Sequence, residues 1–368
     1  MRYFIVAGES SGDLYGGLLI QALKAIDTDA SFAYWGGPKM RAESNNQLKS
    51  IKETAFMGFV EVAKNIFTIR QLFKDAKEQI LEFDPDIVIF IDYPGFNLRM
   101  TQWVKDKGIK TCYYISPQLW AWKEGRHKIL RDFVDEFIVI LPFERDFYKN
   151  LDTPCHYYGH PLLEVIDSKN STDDAVEIKT IGLFPGSRKQ EIERHLPLMV
   201  KIAGQHPELN FRIAGLSHVD KSLYLDNIPE YHQNLDIVYN DSYAVMRSVD
   251  AAITSSGTAT LELALHHVPQ VIIYKTNALS FSIGKMLVKT DHIGLVNLIA
   301  QKRIVPELLQ DEATVENIGF ELNNIMNPEE YKNIKKAYLK LSNDLGDGRT
   351  SSKVAQHIFK SIQEKSTI

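Results

Sequence analysis

Short runs of consecutive apolar residues, each followed by polar or turn-forming residues, recur along this 368-residue chain. Residues 3–7 read Tyr-Phe-Ile-Val-Ala and residues 87–91 read Ile-Val-Ile-Phe-Ile, without the polar alternation of a half-exposed strand. Such runs predict parallel strands covered on both faces. Others fall at 32–35, 110–115 and 136–141, then at 180–184, 210–214, 236–239, 251–254 and 270–274. Helix-period stretches lie between them, the clearest over 14–26. This alternation predicts an α/β chain of two Rossmann-like, doubly wound domains that face each other across a cleft. Residues 166–177 are polar and break the pattern, which marks the interdomain linker or a surface loop beside it. The domains are therefore expected at 1–165 and 175–345. Helical patterns over 331–341 and 353–363 close the chain, and the segment 350–368 is expected to cross back onto the first domain.

Composition narrows the class. Hydrophobic residues make up 44% and charged residues 24%, as in ordinary soluble globular proteins. A net charge of -5 gives no reason to expect a nucleic-acid partner. Cys112 and Cys155 form no disulfide framework and lack metal-ligand spacing, which fits a reducing cytoplasm. The chain opens directly on a strand pattern rather than on a signal peptide, and no apolar run nears the ~20 residues of a membrane span.

Ligands of open α/β sheets bind beyond the carboxyl ends of the strands, so the turns there carry the chemistry. After 251–254 comes Ser255-Ser256-Gly257-Thr258-Ala259-Thr260-Leu261-Glu262. A small-residue turn leading into a helix presents backbone N–H groups and a positive dipole end to an anion. Gly257 permits close approach, and Glu262 lies one turn on, within reach of a sugar hydroxyl. The same residues also suit an ordinary serine-capped turn. After 180–184 comes Pro185-Gly186-Ser187-Arg188, where Arg188 either neutralises a diphosphate or caps a loop. There is no P-loop. Asp92 ends the strand 87–91 and precedes Tyr93-Pro94-Gly95-Phe96-Asn97. It reads as a general base or as a helix cap. Gly8-Glu9-Ser10-Ser11-Gly12-Asp13 is no dinucleotide fingerprint; it reads as a polar contact region, with Asp13 a helix-terminal carboxylate. Ser116-Pro117-Gln118-Leu119-Trp120-Ala121-Trp122 is aromatic, suited to a sugar, an acyl chain or the core. His160 and the adjacent His266-His267 make a poor metal site, and no metal is expected.

Over 59–73, Phe59, Val60, Val62, Ala63, Ile66, Phe67, Ile69, Leu72 and Phe73 cover more than half of a helix circumference, with Arg70, Lys74 and Lys77 at its end. An amphipathic helix needs a stripe of only about 100°. Either this helix meets a membrane or acyl chains through Phe59, Val62, Ile66, Phe67 and Ile69, or it is buried in the first domain.

These motifs together resemble the lipid-A-disaccharide synthase family of GT-B glycosyltransferases, over essentially the whole chain. The resemblance rests on Ala7 to Asp13, Met57-Gly58-Phe59-Val60-Glu61-Val62, Ile91 to Asn97, Ser116 to Trp122, Leu141-Pro142-Phe143-Glu144, Pro185 to Arg188, Ser256 to Glu262, and Val288-Lys289-Thr290 with Asn297-Leu298. It implies transfer of a sugar from UDP-2,3-diacylglucosamine to 2,3-diacylglucosamine 1-phosphate, giving UDP and a β-1′,6-linked disaccharide with inversion. It implies Asp92 as the base. Arg188, Ser187, Gly257, Thr258, Ala259, Glu262 and Asn297 are then implied at UDP, without metal or cofactor. Glu9, Ser10, Gly12, Asn97 and Gln118 are expected at the acceptor. The family acts at the inner face of the bacterial inner membrane, so peripheral association is expected; a homodimer stays open. Val296 stands where the family pattern has Pro, Gln301 where it has Gly, and Ser44 where it has Gly. Two other readings remain: another UDP-sugar GT-B enzyme (a lipid-linked sugar transferase or an epimerase), or a catalytically idle UDP-sugar binder.

Overall fold

A computed structural model describes residues 1–54, 66–166, 178–216, 219–228, 233–277 and 290–365. The chain divides into two compact units: Met1–Glu164 with Leu345–Ile368, and Val165–Asp344. The first holds a seven-stranded sheet of β1 (Arg2–Ala7), β2 (Ser31–Gly36), β3 (Gln47–Ser50), β4 (Ile87–Ile91), β5 (Lys110–Tyr114), β6 (Glu136–Val139) and β7 (His156–Tyr157). All neighbours are parallel, in the order β3-β2-β1-β4-β5-β6-β7. The second holds β8 (Thr180–Phe184), β9 (Asn210–Gly215), β10 (Leu235–Tyr239), β11 (Ala251–Ser255), β12 (Gln270–Tyr274) and β13 (Glu307–Leu309). Its order is β10-β9-β8-β11-β12-β13, again parallel. Each is a doubly wound sheet whose order reverses once, between β1 and β4 and between β8 and β11. The short edge strands β3, β7 and β13 escaped the sequence pattern.

The apolar runs are buried on both faces, as their lack of alternation requires. On one face of the first sheet, Phe4, Val6, Val88, Phe90 and Tyr113 pack against Leu72, Ala76 and Ile80 of the helix Ile66–Phe83. Phe96 and Met100 of the helix Pro94–Asp106 join the same cluster. Leu19, Ile20 and Leu23 of the helix Ser10–Ile26 are also fully buried. That helix packs against the terminal helix Thr350–Lys365, which buries Val354, Ala355 and Ile358. The C-terminal segment thus belongs to the first unit. From Leu72 onward the wide apolar helix is a core element: Leu72 and Ile80 pack in the cluster on the sheet and Phe73 stacks on Phe96 at 4.5 Å between centroids. Phe59 and Val62 lie outside the described residues, as do the side chains of Ile66 and Phe67; Ile69 is half-buried. Met57–Val62, residues 167–177 of the expected linker and Val288-Lys289 also fall outside them. Among the described residues no helix is long and apolar enough to cross a membrane.

Candidate active site

Ala7 of β1 and Ile91 of β4 are register partners, so Gly8 and Asp92 leave the sheet side by side where the strand order reverses. Asp92 and Tyr93 both take left-handed backbone conformations, φ 46° and 49°. For non-glycine residues this costs about 1–3 kcal/mol each and persists only where surroundings enforce it. The enforcing contacts are specific. The Asp92 N–H donates to the Tyr114 carbonyl at 3.1 Å. The Asp92 carbonyl accepts from the Tyr113 hydroxyl and from Asn97 Nδ2, both at 2.8 Å. Pro94 opens the following helix, where its missing N–H has no cost. Tyr93 stacks on Phe96 and lies flat on Gly8; a Cβ on Gly8 would come within 2.3 Å of that ring.

The result places a partly buried carboxylate at the strand end. Burial, and then the negative charge of Glu9, push Asp92 up to about 7, while a backbone bond from Tyr93 holds it back somewhat. Glu9 and Ser10 are exposed at the start of the helix Ser10–Ile26. Gly12 is buried, and a Cβ there would sit 3.2 Å from that of Ala7, so it permits helix–strand packing. Asn97 is fully buried, and its amide group serves the strand-end carbonyls, that of Asp92 above all. Nδ2 thereby braces the backbone that carries Asp92, while Oδ1 is buried without a hydrogen-bond partner. Asp13 does cap a helix, but its neighbour's: its carboxylate accepts from the N–H groups of Gly37, Lys39 and Met40 at 2.7–3.0 Å.

Gln118 is exposed beyond β5. Its neighbour Trp120 donates from Nε1 to Glu144 at 3.2 Å, and Glu144 also accepts from the Ile140 and Leu141 N–H groups. Glu144 is buried and is pushed up to about 7, first by desolvation, with the Asp92 charge adding. The sequence reading gave it no role. Its signal is an acid at the third position after the start of a helix that opens on Pro142.

In the second unit, β8 and β11 pair at the corresponding reversal. Gly186 needs its own backbone freedom: φ is 123°, and a Cβ would meet the Glu191 carboxylate at 2.5 Å. That carboxylate accepts from the Ser187 and Arg188 N–H groups at 2.8 and 3.2 Å. The Arg188 side chain is 65% exposed and Nη1 stands 3.8 Å from Glu191. His195 was also missed by sequence. Its two ring nitrogens bridge the Pro185 carbonyl at 2.9 Å and the Lys275 N–H at 3.0 Å, tying the ends of β8 and β12 together. Since Nε2 must accept, Nδ1 carries the proton, and burial keeps the ring neutral by lowering its pKa.

Gly257 and Thr258 are exposed at the start of the helix Thr258–Leu265, with nothing within 4 Å of a Cβ position on Gly257. Ala259 is half-buried in the first turn. Glu262 accepts from the Tyr243 hydroxyl at 2.9 Å, and burial raises its pKa. Asn297 is not at the surface. It is fully buried and saturated: Nδ2 donates to Val305 and Glu307 at 2.9 and 2.8 Å, and Oδ1 accepts from Ile304 and Val305 at 2.7 and 3.1 Å.

Residues 3–360 match the model of the family described as lipid-A-disaccharide synthetase. A lipid-A-disaccharide synthase of Trichlorobacter lovleyi is 37% identical, over 99% of this chain and 98% of that one. Its counterpart in Nitrosococcus oceani is 38% identical over 94% and 92%. The chain belongs to the lipid-A-disaccharide synthetase family. It is a disaccharide-forming glycosyltransferase of lipid A biosynthesis. Solved structures add the fold alone. A UDP-GlcNAc 2-epimerase from Neisseria meningitidis bound to UDP-GlcNAc superposes with a TM-score of 0.67 at 13% identity, over 98% of this chain and 100% of that one. The spinosyn rhamnosyltransferase SpnG gives 0.63 at 11%, over 97% and 100%. The GT-B architecture is common to transferases and epimerases, and the family match favours the transferase.

The departures from the family pattern have local explanations. Gln301 ends its helix at φ 52°, the conformation a glycine adopts freely, so Gln there costs about 1 kcal/mol. Val296 lies in the first helical turn, where Pro is tolerated, and fills a buried position. Ser44 is extended at φ -152° and needs no glycine.

Proposed function

We propose that Asp92 is the general base of a single inverting displacement. The donor is UDP-2,3-diacylglucosamine and the acceptor 2,3-diacylglucosamine 1-phosphate. The acceptor 6-hydroxyl oxygen attacks the donor's anomeric carbon and its proton passes to Asp92. The anomeric C–O bond breaks, and its electron pair leaves on UDP. Inversion from an α donor gives the β-1′,6 link and needs no covalent intermediate. One observation carries the base assignment: a carboxyl held at a strand end by an enforced left-handed backbone and pushed up to about 7. A base is most effective near the working pH, and this one is ionised there to a useful extent.

Arg188 and the first turn after Gly257 receive the diphosphate, by charge and by backbone donors. Glu262 binds the ribose. Asn297 acts indirectly, by fixing the loop 304–305 and Glu307. Glu9, Ser10 and Gln118 line the acceptor side, and Asn97 and Gly12 shape it. The protein works at the cytoplasmic face of the inner membrane, with Phe59, Val62, Ile66, Phe67 and Ile69 against lipid. Calorimetry tests the diphosphate assignment. Arg188→Ala should raise the Kd for UDP about tenfold, a loss of ~1.4 kcal/mol, in line with a charged hydrogen bond. Unchanged UDP affinity removes Arg188 from the site.

A further inference from the structure

Far from Asp92, at the amino-terminal end of β6, Glu136 meets two histidines brought in from elsewhere in the chain. Glu136 and Ile138 share a face of β6, and His156 of β7 is the register partner of Ile138, so Glu136 and His156 are diagonal neighbours. His357 comes from the terminal helix Thr350–Lys365. One ligand atom from each of the three lies within 4.8 Å of the others. His357 Nε2 is 2.6 Å from Glu136 Oε2, and its Nδ1 is 3.0 Å from the Tyr158 hydroxyl. The His156 ring is parallel to Tyr158 (8° between planes) and 4.3 Å from the His357 ring, between centroids. Lys110 holds the other carboxylate oxygen, Oε1, at 3.0 Å and donates to the Ser361 carbonyl at 2.6 Å.

We propose that Glu136, His156 and His357 bind a divalent transition metal of the zinc class. Two imidazoles and one carboxylate are a borderline donor set, which suits zinc and cobalt better than magnesium or calcium. The metal replaces the proton shared by His357 Nε2 and Glu136 Oε2, and that proton leaves to solvent. Tyr158 accepts from Nδ1–H and fixes the His357 ring, the orienting partner that ligating histidines need. Lys110 remains on Oε1, where its charge offsets the carboxylate without occupying the ligand atom. His156 is exposed, which gives the ion a path in and leaves a fourth position to water. The bound ion clamps the terminal helix to the far edge of the sheet. It has no part in sugar transfer.

A lone ion-paired triad of Glu136, His357 and Lys110 would make no use of His156, and that separates the two cases. Tag-free protein is titrated with Co²⁺ followed by visible absorption, then with Zn²⁺ in competition, and melting temperature is read with and without Zn²⁺. Wild type should take up one equivalent saturably, without the near-ultraviolet band of a thiolate ligand, and should melt higher with Zn²⁺. His156→Asn should weaken binding about 100-fold or more, and Tyr158→Phe about tenfold, as for an orienting partner. Circular dichroism checks that His156→Asn is folded; should it not be, Glu136→Gln is read in the same assay. No saturable one-equivalent complex in wild type, a thiolate band, or undiminished affinity in the folded ligand variant overturns the site.

Discussion

A carboxyl group pushed up to about 7 has consequences in opposite directions for catalysis and stability. For catalysis the ionised form is needed, so kcat/KM should rise with pH and level off above about 7. A flat profile from acid to neutral pH contradicts the base role. For stability the sign reverses. The folded-state value lies above the ordinary 3.8, so between about pH 4 and 7 the folded chain holds a proton that the unfolded chain has lost. Asp92 therefore opposes folding increasingly as pH rises through that window. Asp92→Asn, which keeps the shape and tolerates the left-handed backbone, should abolish transfer yet raise stability at pH 8 by about 1–2 kcal/mol. The figure is below a full conversion of the shift because solvent reaches the partly exposed group. At pH 4 the two proteins should unfold alike in urea. Single side chains are also where the structure adds what the sequence does not show. Asn97 and Asn297 follow a strand end and a Gly turn, as ligand contacts do, but only tertiary packing decides that their amides face inward. His195 shows the reverse. It is a polar residue on the face that carries Ile192, Leu196 and Met199, and its two backbone partners lie 10 and 80 residues away.

Among the elements, the continuous apolar strands were readable to within a residue or two, because burial on both faces leaves no polar position to confuse the pattern. The edge strands Gln47–Ser50, His156–Tyr157 and Glu307–Leu309 were not. They have two to four residues and no apolar run, and exist only because a neighbour offers its hydrogen-bonding edge. The helix Ile66–Phe83 packs on the first sheet from Leu72 onward. Its middle and end are core, so Ile80→Ala should cost about 2–5 kcal/mol in denaturant unfolding, as a fully buried methylene-rich side chain does. A loss under 1 kcal/mol would mean the helix is not anchored there. Its beginning is the part proposed to meet lipid. Replacing Ile66, Phe67 and Ile69 together by Ser should reduce co-sedimentation with anionic vesicles while the melting temperature stays within a few degrees. Unfolding of that triple variant, or unchanged sedimentation, removes the membrane role from those residues.

Across the whole molecule, two sheets of the same reversed strand order place Asp92 at one reversal, and the proposed diphosphate loops after β8 and β11 at the other. The sequence motifs fell on these two positions because a parallel sheet presents every strand's carboxyl end on one side, and the reversal opens a crevice there. The histidine–carboxylate cluster escaped the sequence because its members are numbered 136, 156 and 357 and meet only when the terminal helix returns to the first unit. Function at this level is the joining of two lipid-bearing sugars, which neither a binding protein nor an epimerase performs. Purified protein is mixed with UDP-2,3-diacylglucosamine and 2,3-diacylglucosamine 1-phosphate, and products are followed by mass spectrometry, in parallel with Asp92→Asn. Wild type should yield the tetra-acyl disaccharide 1-phosphate with one UDP per link formed, and the variant should yield neither while still binding UDP. No disaccharide from wild type, or turnover by Asp92→Asn at a comparable rate, would contradict the mechanism proposed for this chain.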